Sequence, residues 1–172
     1  MVFSVREKDL AGRIGELVTR TGRLETPALL PVVNPVLQIV SPEEMKQIGF
    51  QGVMTNAYIV KRHWDRWTEK KIHAILDFDG VIMADSGAYQ LLRYGEIELS
   101  PTELVRLQEE IEPDIAVILD VPTGWDVDRG RAEYTVMETL RRAELTAKIR
   151  KKSGILWVCP IQGGTFLDLL RK

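Results

Sequence analysis

Short apolar runs alternating with longer mixed stretches organise this chain. Ala28 to Val33, Gly52 to Thr55, Val81 to Ala84, Ile115 to Leu119 and Ile155 to Ile161 are each about as long as a strand. Ser41-Pro42-Glu43-Glu44 and Ser100-Pro101-Thr102-Glu103 carry helix-start signals. Each offers a capping serine, a proline suited to the first helical turn, and a glutamate that can reach back to the cap. The pattern predicts helices from Ser41 to a stop at Gly49, over about Ala57–Leu76, from Ser100 to about Ile111, over about Asp128–Lys152, and from near Thr165. Before Ala28, Gly12-Arg13-Ile14-Gly15-Glu16-Leu17 and Leu24-Glu25-Thr26-Pro27 flank a turn at Thr21-Gly22 and read as a short antiparallel lead-in.

Strands alternating with helices point to a parallel sheet with helices outside it. The strands are continuous apolar runs, as expected when both faces are covered. Low-complexity segments and linkers are absent, so 1–172 reads as part of one domain.

Composition narrows the class. The chain has 172 residues, 45% hydrophobic and 28% charged, which is ordinary for a globular domain. Apolar stretches fall short of the roughly 20 residues a membrane span needs. Charges interrupt the first eight positions, unlike a signal peptide, so a cytoplasmic location without a membrane is expected. One cysteine, Cys159, excludes an internal disulfide and a multi-cysteine metal site within these residues. The net charge of -2 does not by itself point to nucleic acid. The basic clusters Lys61-Arg62-His63, Lys70-Lys71, Arg141-Arg142 and Lys148 to Lys152 read as solvated helix faces.

Four strands end in a polar side chain: Asn56, Asp85, Asp120 and Gln162. Taken singly, each suits a turn former or a helix cap. In a parallel α/β fold all such ends share one face, and in a (β/α)8 barrel that face carries the active site. Two carboxylates can accept hydrogen bonds from ring N–H and amino groups, and Gln162 can both donate and accept. Gly163-Gly164 lets a ligand approach the backbone. Tyr89 reads either as a stacking ring or as a core aromatic. The set suits a planar, purine-like ligand. Elsewhere, His63 and His73 lack metal-ligand spacing. Cys159 reads as a buried small hydrophobe inside the last strand, and Trp64 and Trp67 as packing on the outside of the fold. Ser86 has no histidine near it and makes no serine-hydrolase elbow.

The motifs Thr26 to Pro35, Thr55-Asn56-Ala57-Tyr58, Asp85-Ser86-Gly87-Ala88-Tyr89-Gln90, Leu119-Asp120-Val121-Pro122-Thr123 and Ile161-Gln162-Gly163-Gly164 resemble those of tRNA-guanine transglycosylases, in order and spacing. The Val33-Asn34-Pro35 form resembles the archaeal branch. The resemblance implies the first part, about five strands, of a (β/α)8 TIM barrel, and exchange of guanine at position 15 in the tRNA D-arm for 7-cyano-7-deazaguanine. It implies Asp85 as proton-transfer acid/base and Tyr89 as the stacking ring. Ser86 and Asn56 would line the pocket, Asp120 would read the ring edge, and Gln162 and Gly163 would bind the carbonyl side.

In the family the nucleophilic aspartate, the zinc ligands and a C-terminal RNA-binding region follow later in the chain. The expectation is therefore that residues 1–172 hold no Zn2+ site of their own and are inactive alone, whether as a fragment or as one product of a split gene. A non-catalytic subunit that binds a deazapurine or completes a partner's barrel is the rival reading. A doubly wound, flavodoxin-like binding domain is the generic one, and strand order separates it from a barrel. A partial barrel would leave open edges liable to pair with another copy or a second chain.

Overall fold

The computed structural model describes residues 2–89 and 99–172. Gln90, the last residue of the third motif, lies outside them. Three antiparallel strands come first: β1 (Val2–Asp9), β2 (Gly12–Val18) and β3 (Arg23–Thr26), in that order. The antiparallel lead-in is present, with β1 as an added strand. Charged residues in Phe3-Ser4-Val5-Arg6-Glu7 blurred its alternation, and its side chains stay largely exposed.

A second sheet is parallel: β4 (Gly52–Asn56), β5 (Val81–Asp85), β6 (Ile115–Val117) and β7 (Leu156–Val158), adjacent in sequence order. A doubly wound sheet reverses its order at a switch point; this one does not. Helix coverage agrees. Val53 and Ile82 face one way and pack with Val60, Ile72, Leu76, Leu104, Leu107 and Ile111 from the connecting helices. Val81, Met83, Ile115, Leu156 and Val158 instead pack with Leu17, Leu24 and Leu30 from the N-terminal part. Side chains alternate across a strand, so one face takes the helices and the other takes the lead-in.

Three helices follow their start signals. Helix α1 (Pro42–Ile48) has the complete capping box at Ser41 and stops at Gly49, whose φ of 109° suits glycine. Helix α4 (Pro101–Ile111) repeats the box at Ser100. Helix α5 (Arg129–Ile149) is capped by Asp128. The helix expected over Ala57–Leu76 is broken into α2 (Ala57–Arg62), a 3-10 turn (Trp64–Arg66) and α3 (Ile72–Leu76). The Thr68-Glu69-Lys70-Lys71 stretch is exposed and gives no apolar side to bury, and Glu69 takes a left-handed φ of 67°. Trp64 and Trp67 still pack, half-buried, against the helical core.

Four other expectations need correction. Ala28–Val33 is not a strand: it makes one bridge, Val32 to Met54, with Leu29 and Val32 exposed. Pro27, Pro31 and Pro35 carry no amide donor, so a continuous ladder cannot form. The run Ile115–Leu119 leaves the ladder after Val117, although Ile118 N–H still reaches Val158 O at 3.1 Å. Cys159 is exposed because β7 ends at Val158. The helix expected near Thr165 is only a 3-10 turn, Leu169–Arg171, held by Leu169 packing under Ala132 and Val136.

Asp114 joins the two sheets. It is fully buried just before β6. Its carboxylate accepts Thr21 N–H at 3.1 Å, Thr21 Oγ1–H at 2.5 Å and Ile82 N–H at 3.0 Å. His73 Nε2 lies 3.2 Å away, an electrostatic contact without aligned hydrogen-bond geometry. Close packing also governs the turn into β5. A Cβ on Gly80 would sit 2.6 Å from the backbone oxygen of Gln51. Gly80→Ala is expected to destabilise by about 1–3 kcal/mol, read as a lower urea midpoint at unchanged m-value.

Candidate active site at the strand ends

Register brings the first two polar residues together. Asn56 and Asp85 are direct partners in the β4–β5 pairing. Asn56 Nδ2 donates to Asp85 Oδ2 at 3.4 Å, while Asn56 Oδ1 caps α2 through Ile59 N–H at 3.1 Å. The same Asp85 oxygen accepts Gly87 N–H at 3.1 Å. Gly87 takes a φ of 87°, a turn that a side chain would resist.

Ser86 has no exposed surface and its Oγ accepts Ala88 N–H at 3.1 Å. It braces the turn from beneath. Tyr89, three residues further, is 62% exposed. At that exposure it is no core aromatic.

Asp120 and Gln162 form the second pair. Gln162 Nε2 donates to Asp120 Oδ2 at 2.6 Å. Gln162 Oε1 accepts Thr123 N–H at 2.6 Å and Thr123 Oγ1–H at 3.1 Å. This amide orientation follows from its neighbours: donors face Oε1 and a carboxylate faces Nε2. Gly163 follows with a φ of 152°, and a Cβ there would press on Leu169 and Leu170 at 3.2 and 3.1 Å. Arg142 Nη1 holds the Leu119 and Asp120 carbonyls at 3.3 and 3.2 Å. Glu138 anchors Arg142 at 2.9 Å, and hydrogen bonding from Arg141 and Arg142, against burial, pulls its carboxyl down to about 2.

Both site carboxylates hold their protons more tightly than usual. For Asp85 the cause is burial, partly offset by the Gly87 and Ser86 amides. For Asp120 it is again burial, offset by its backbone amide and reinforced by the charge of Asp85. A buried carboxylate with a raised pKa at a strand end is a candidate proton-transfer group.

Thr123, Thr135, Thr139 and Arg142 support the site; the sequence shows Thr123 only as part of a motif and Arg142 only on a solvated helix face, which its part-buried contacts correct. Thr139 Oγ1 accepts Val121 N–H at 3.0 Å, and Thr135 Oγ1 meets Thr123 Oγ1 at 2.6 Å. Their signal is visible in retrospect. Buried threonines four apart on one helix, followed by Arg142 four after Glu138, mark a polar stripe facing the sheet. A separate cavity of about 280 Å³ lies beside Gln162, lined by Val136, Thr139, Leu140, Cys159, Ile161 and Leu169. It includes neither aspartate and is not the polar site. Among the described residues no three His, Cys, Asp or Glu side chains form a metal-ligand set. No helix among them is long and apolar enough to cross a membrane.

The queuine tRNA-ribosyltransferase family profile matches residues 8–172. A tRNA-guanine(15) transglycosylase from Aeropyrum pernix is 48% identical over 172 residues, covering 99% of this chain and 33% of that protein. The corresponding protein from Sulfolobus acidocaldarius is 44% identical, covering 98% of this chain and 34% of its own length. One from Pyrococcus furiosus is 43% identical, covering 97% and 28%. The chain thus spans about a third of the length of the curated relatives it matches. With that profile matching nearly all of its length, this chain belongs to the queuine tRNA-ribosyltransferase family.

Proposed function

We propose that the strand-end cluster is the base-exchange site of an archaeosine-type tRNA-guanine transglycosylase, and that residues 1–172 form the first part of its TIM-barrel catalytic domain. Sequential parallel order with helices on one face supports the barrel reading. The observation that carries the function is the placement of two hydrogen-bonded polar pairs, Asn56–Asp85 and Asp120–Gln162, after successive strands of one parallel sheet.

In this reading the guanine of nucleotide 15 leaves the tRNA stack and enters between Tyr89 and the Asp120–Gln162 pair. A carboxylate attacks C1′ of the ribose as the bond from C1′ to the base nitrogen breaks. Asp85 gives its proton to the departing base. The entering 7-cyano-7-deazaguanine then returns a proton to Asp85, and its ring nitrogen displaces the carboxylate from C1′. Two displacements retain configuration, the logic of retaining glycosidases. Asp120 accepts from the N–H edge of the base, and Gln162 and the Gly163 backbone take the carbonyl side. Asn56 and Ser86 hold the strand-end turn in place.

The nucleophile is assigned to the later part of the family's barrel, so residues 1–172 alone are expected to bind base without exchanging it. The family's zinc does not fit the residues described here: Cys159 is a lone exposed thiol without a ligand cluster. Beyond β7 the described residues place no further strand in this sheet. That edge is where further strands of a barrel, a second chain or another copy would add.

Calorimetry with 7-cyano-7-deazaguanine on the native-length protein tests the site. Asp120→Ala is expected to weaken base binding by about 10-fold or more, because the ring N–H groups lose a charged acceptor. Unchanged affinity in that variant would overturn the assignment. Binding without exchange at native length would favour a non-catalytic, barrel-completing subunit.

A further inference from the structure

Several loops that follow the parallel strands, and the segment before them, carry exposed apolar side chains. Leu37 follows the Pro31–Val33 segment, Tyr89 follows β5, Trp125 follows β6, and Ile161 follows β7, all largely exposed. Trp125 is the extreme case, at 98% exposure. A surface tryptophan this bare has a large apolar area still unburied.

Its position is tied to the site. Trp125 lies two residues after Thr123, whose N–H and hydroxyl both hold Gln162. Its Cα is therefore within about 7 Å of the Thr123 Cα. A Cβ on Gly164, on the neighbouring loop, would lie 3.4 Å from Thr123 Cγ2 and 3.8 Å from the Gly124 oxygen. The indole is thus carried by a loop that the base-reading glutamine itself anchors.

We propose that Trp125 stacks on a tRNA nucleotide next to the one whose base enters the pocket. The inference rests on the transglycosylase reading above. Taking a base out of the stack exposes the faces of its neighbours, and an aromatic ring at the rim can replace the lost contact. Among the described residues Trp125 makes no cation–π contact, and the basic side chains next along the chain are committed elsewhere. Arg129 pairs with Asp168 and lies over Phe166, and Arg131 lies over Tyr134. Asp126 and Asp128 flank the indole within the loop, so phosphate binding is not its function. Stacking on a base face is the chemistry this position offers.

The test is tRNA binding and exchange by the native-length protein, comparing wild type, Trp125→Ala and Trp125→Phe. Loss of one base–aromatic stack predicts about 5- to 150-fold weaker tRNA affinity in Trp125→Ala. Affinity for free 7-cyano-7-deazaguanine and the melting temperature should stay unchanged, and Trp125→Phe should restore most of the tRNA affinity. The fold-loss should be the same at 50 and 200 mM salt, because stacking releases no counterions. Unchanged tRNA affinity in Trp125→Ala overturns the proposal. So does a lowered melting temperature without rescue by phenylalanine, which would mean that the indole packs against protein. Wild-type protein that binds no tRNA at all overturns the transglycosylase reading instead.

Discussion

Replacing Asp85 with asparagine is expected to lower base exchange by about 100- to 10,000-fold, the usual contribution of a positioned proton-transfer group. The substitution keeps the shape of the strand end, so Asn56 and the Gly87 amide retain a partner. It removes only the capacity to give and take a proton. Labelled guanine incorporated into tRNA by the native-length protein measures the rate, and calorimetry with the free base measures binding. The rate should collapse while affinity changes little. A rate within 10-fold of wild type would remove Asp85 from the proton path. Burial lifts the Asp85 carboxyl above the ordinary carboxylate range, so its protonated form persists to higher pH than an exposed aspartate would allow. In the variant, the part of the pH–rate profile due to this group should disappear.

The second large effect is structural. Asp114→Ala is expected to cost about 3–5 kcal/mol, the range for breaking a buried charged network. It would leave the Thr21 and Ile82 amides without their acceptor. Differential scanning calorimetry of residues 1–172 should show a drop of about 6–20 °C, at about 2–4 °C per kcal/mol. A drop under 2 °C would mean that the lead-in is held by other contacts. Asp114 also sets an acid limit. Burial works to raise its pKa, but His73, the Thr21 hydroxyl and the Ile82 amide overcome that and hold it far below the usual range. A depressed folded pKa contributes stability that is complete above the unfolded value, near 4. That contribution is lost as pH falls toward the folded value. Glu112 adds to the same trend: hydrogen bonds from Lys152 and Lys71 hold its carboxyl down to about 2. Unfolding free energy should thus fall steadily below pH 4, and Asp114→Asn should flatten that slope.

Asp114 shows what a linear reading misses. In sequence it is one aspartate before an apolar run, a turn residue like many others. Only folding places Thr21, His73 and Ile82 around it, from segments up to 93 residues away. Thr123 is similar: its motif is visible, but its hold on Gln162 exists only once two strand ends are adjacent. Conversely, the capping boxes at Ser41 and Ser100 involve residues three apart, and both form as written. Local chemistry survives folding when its partners are local.

By itself the sequence determined the parallel βα order, the two boxed helix starts, and the polar residues Asn56 and Asp85 that end their strands, whereas Asp120 and Gln162 lie three and four residues past theirs. These depend on side-chain period, capping and turn chemistry within a few residues. Tertiary structure decided the rest. It showed that proline leaves Ala28–Val33 with a single bridge, that the Ala57–Leu76 region breaks where no apolar side is buried, and that Cys159 and Tyr89 face solvent. It also decided that Asp85 pairs with Asn56 and Asp120 with Gln162. Pairing register and the face each strand offers to the helices are set by contacts among distant residues, which no local pattern encodes.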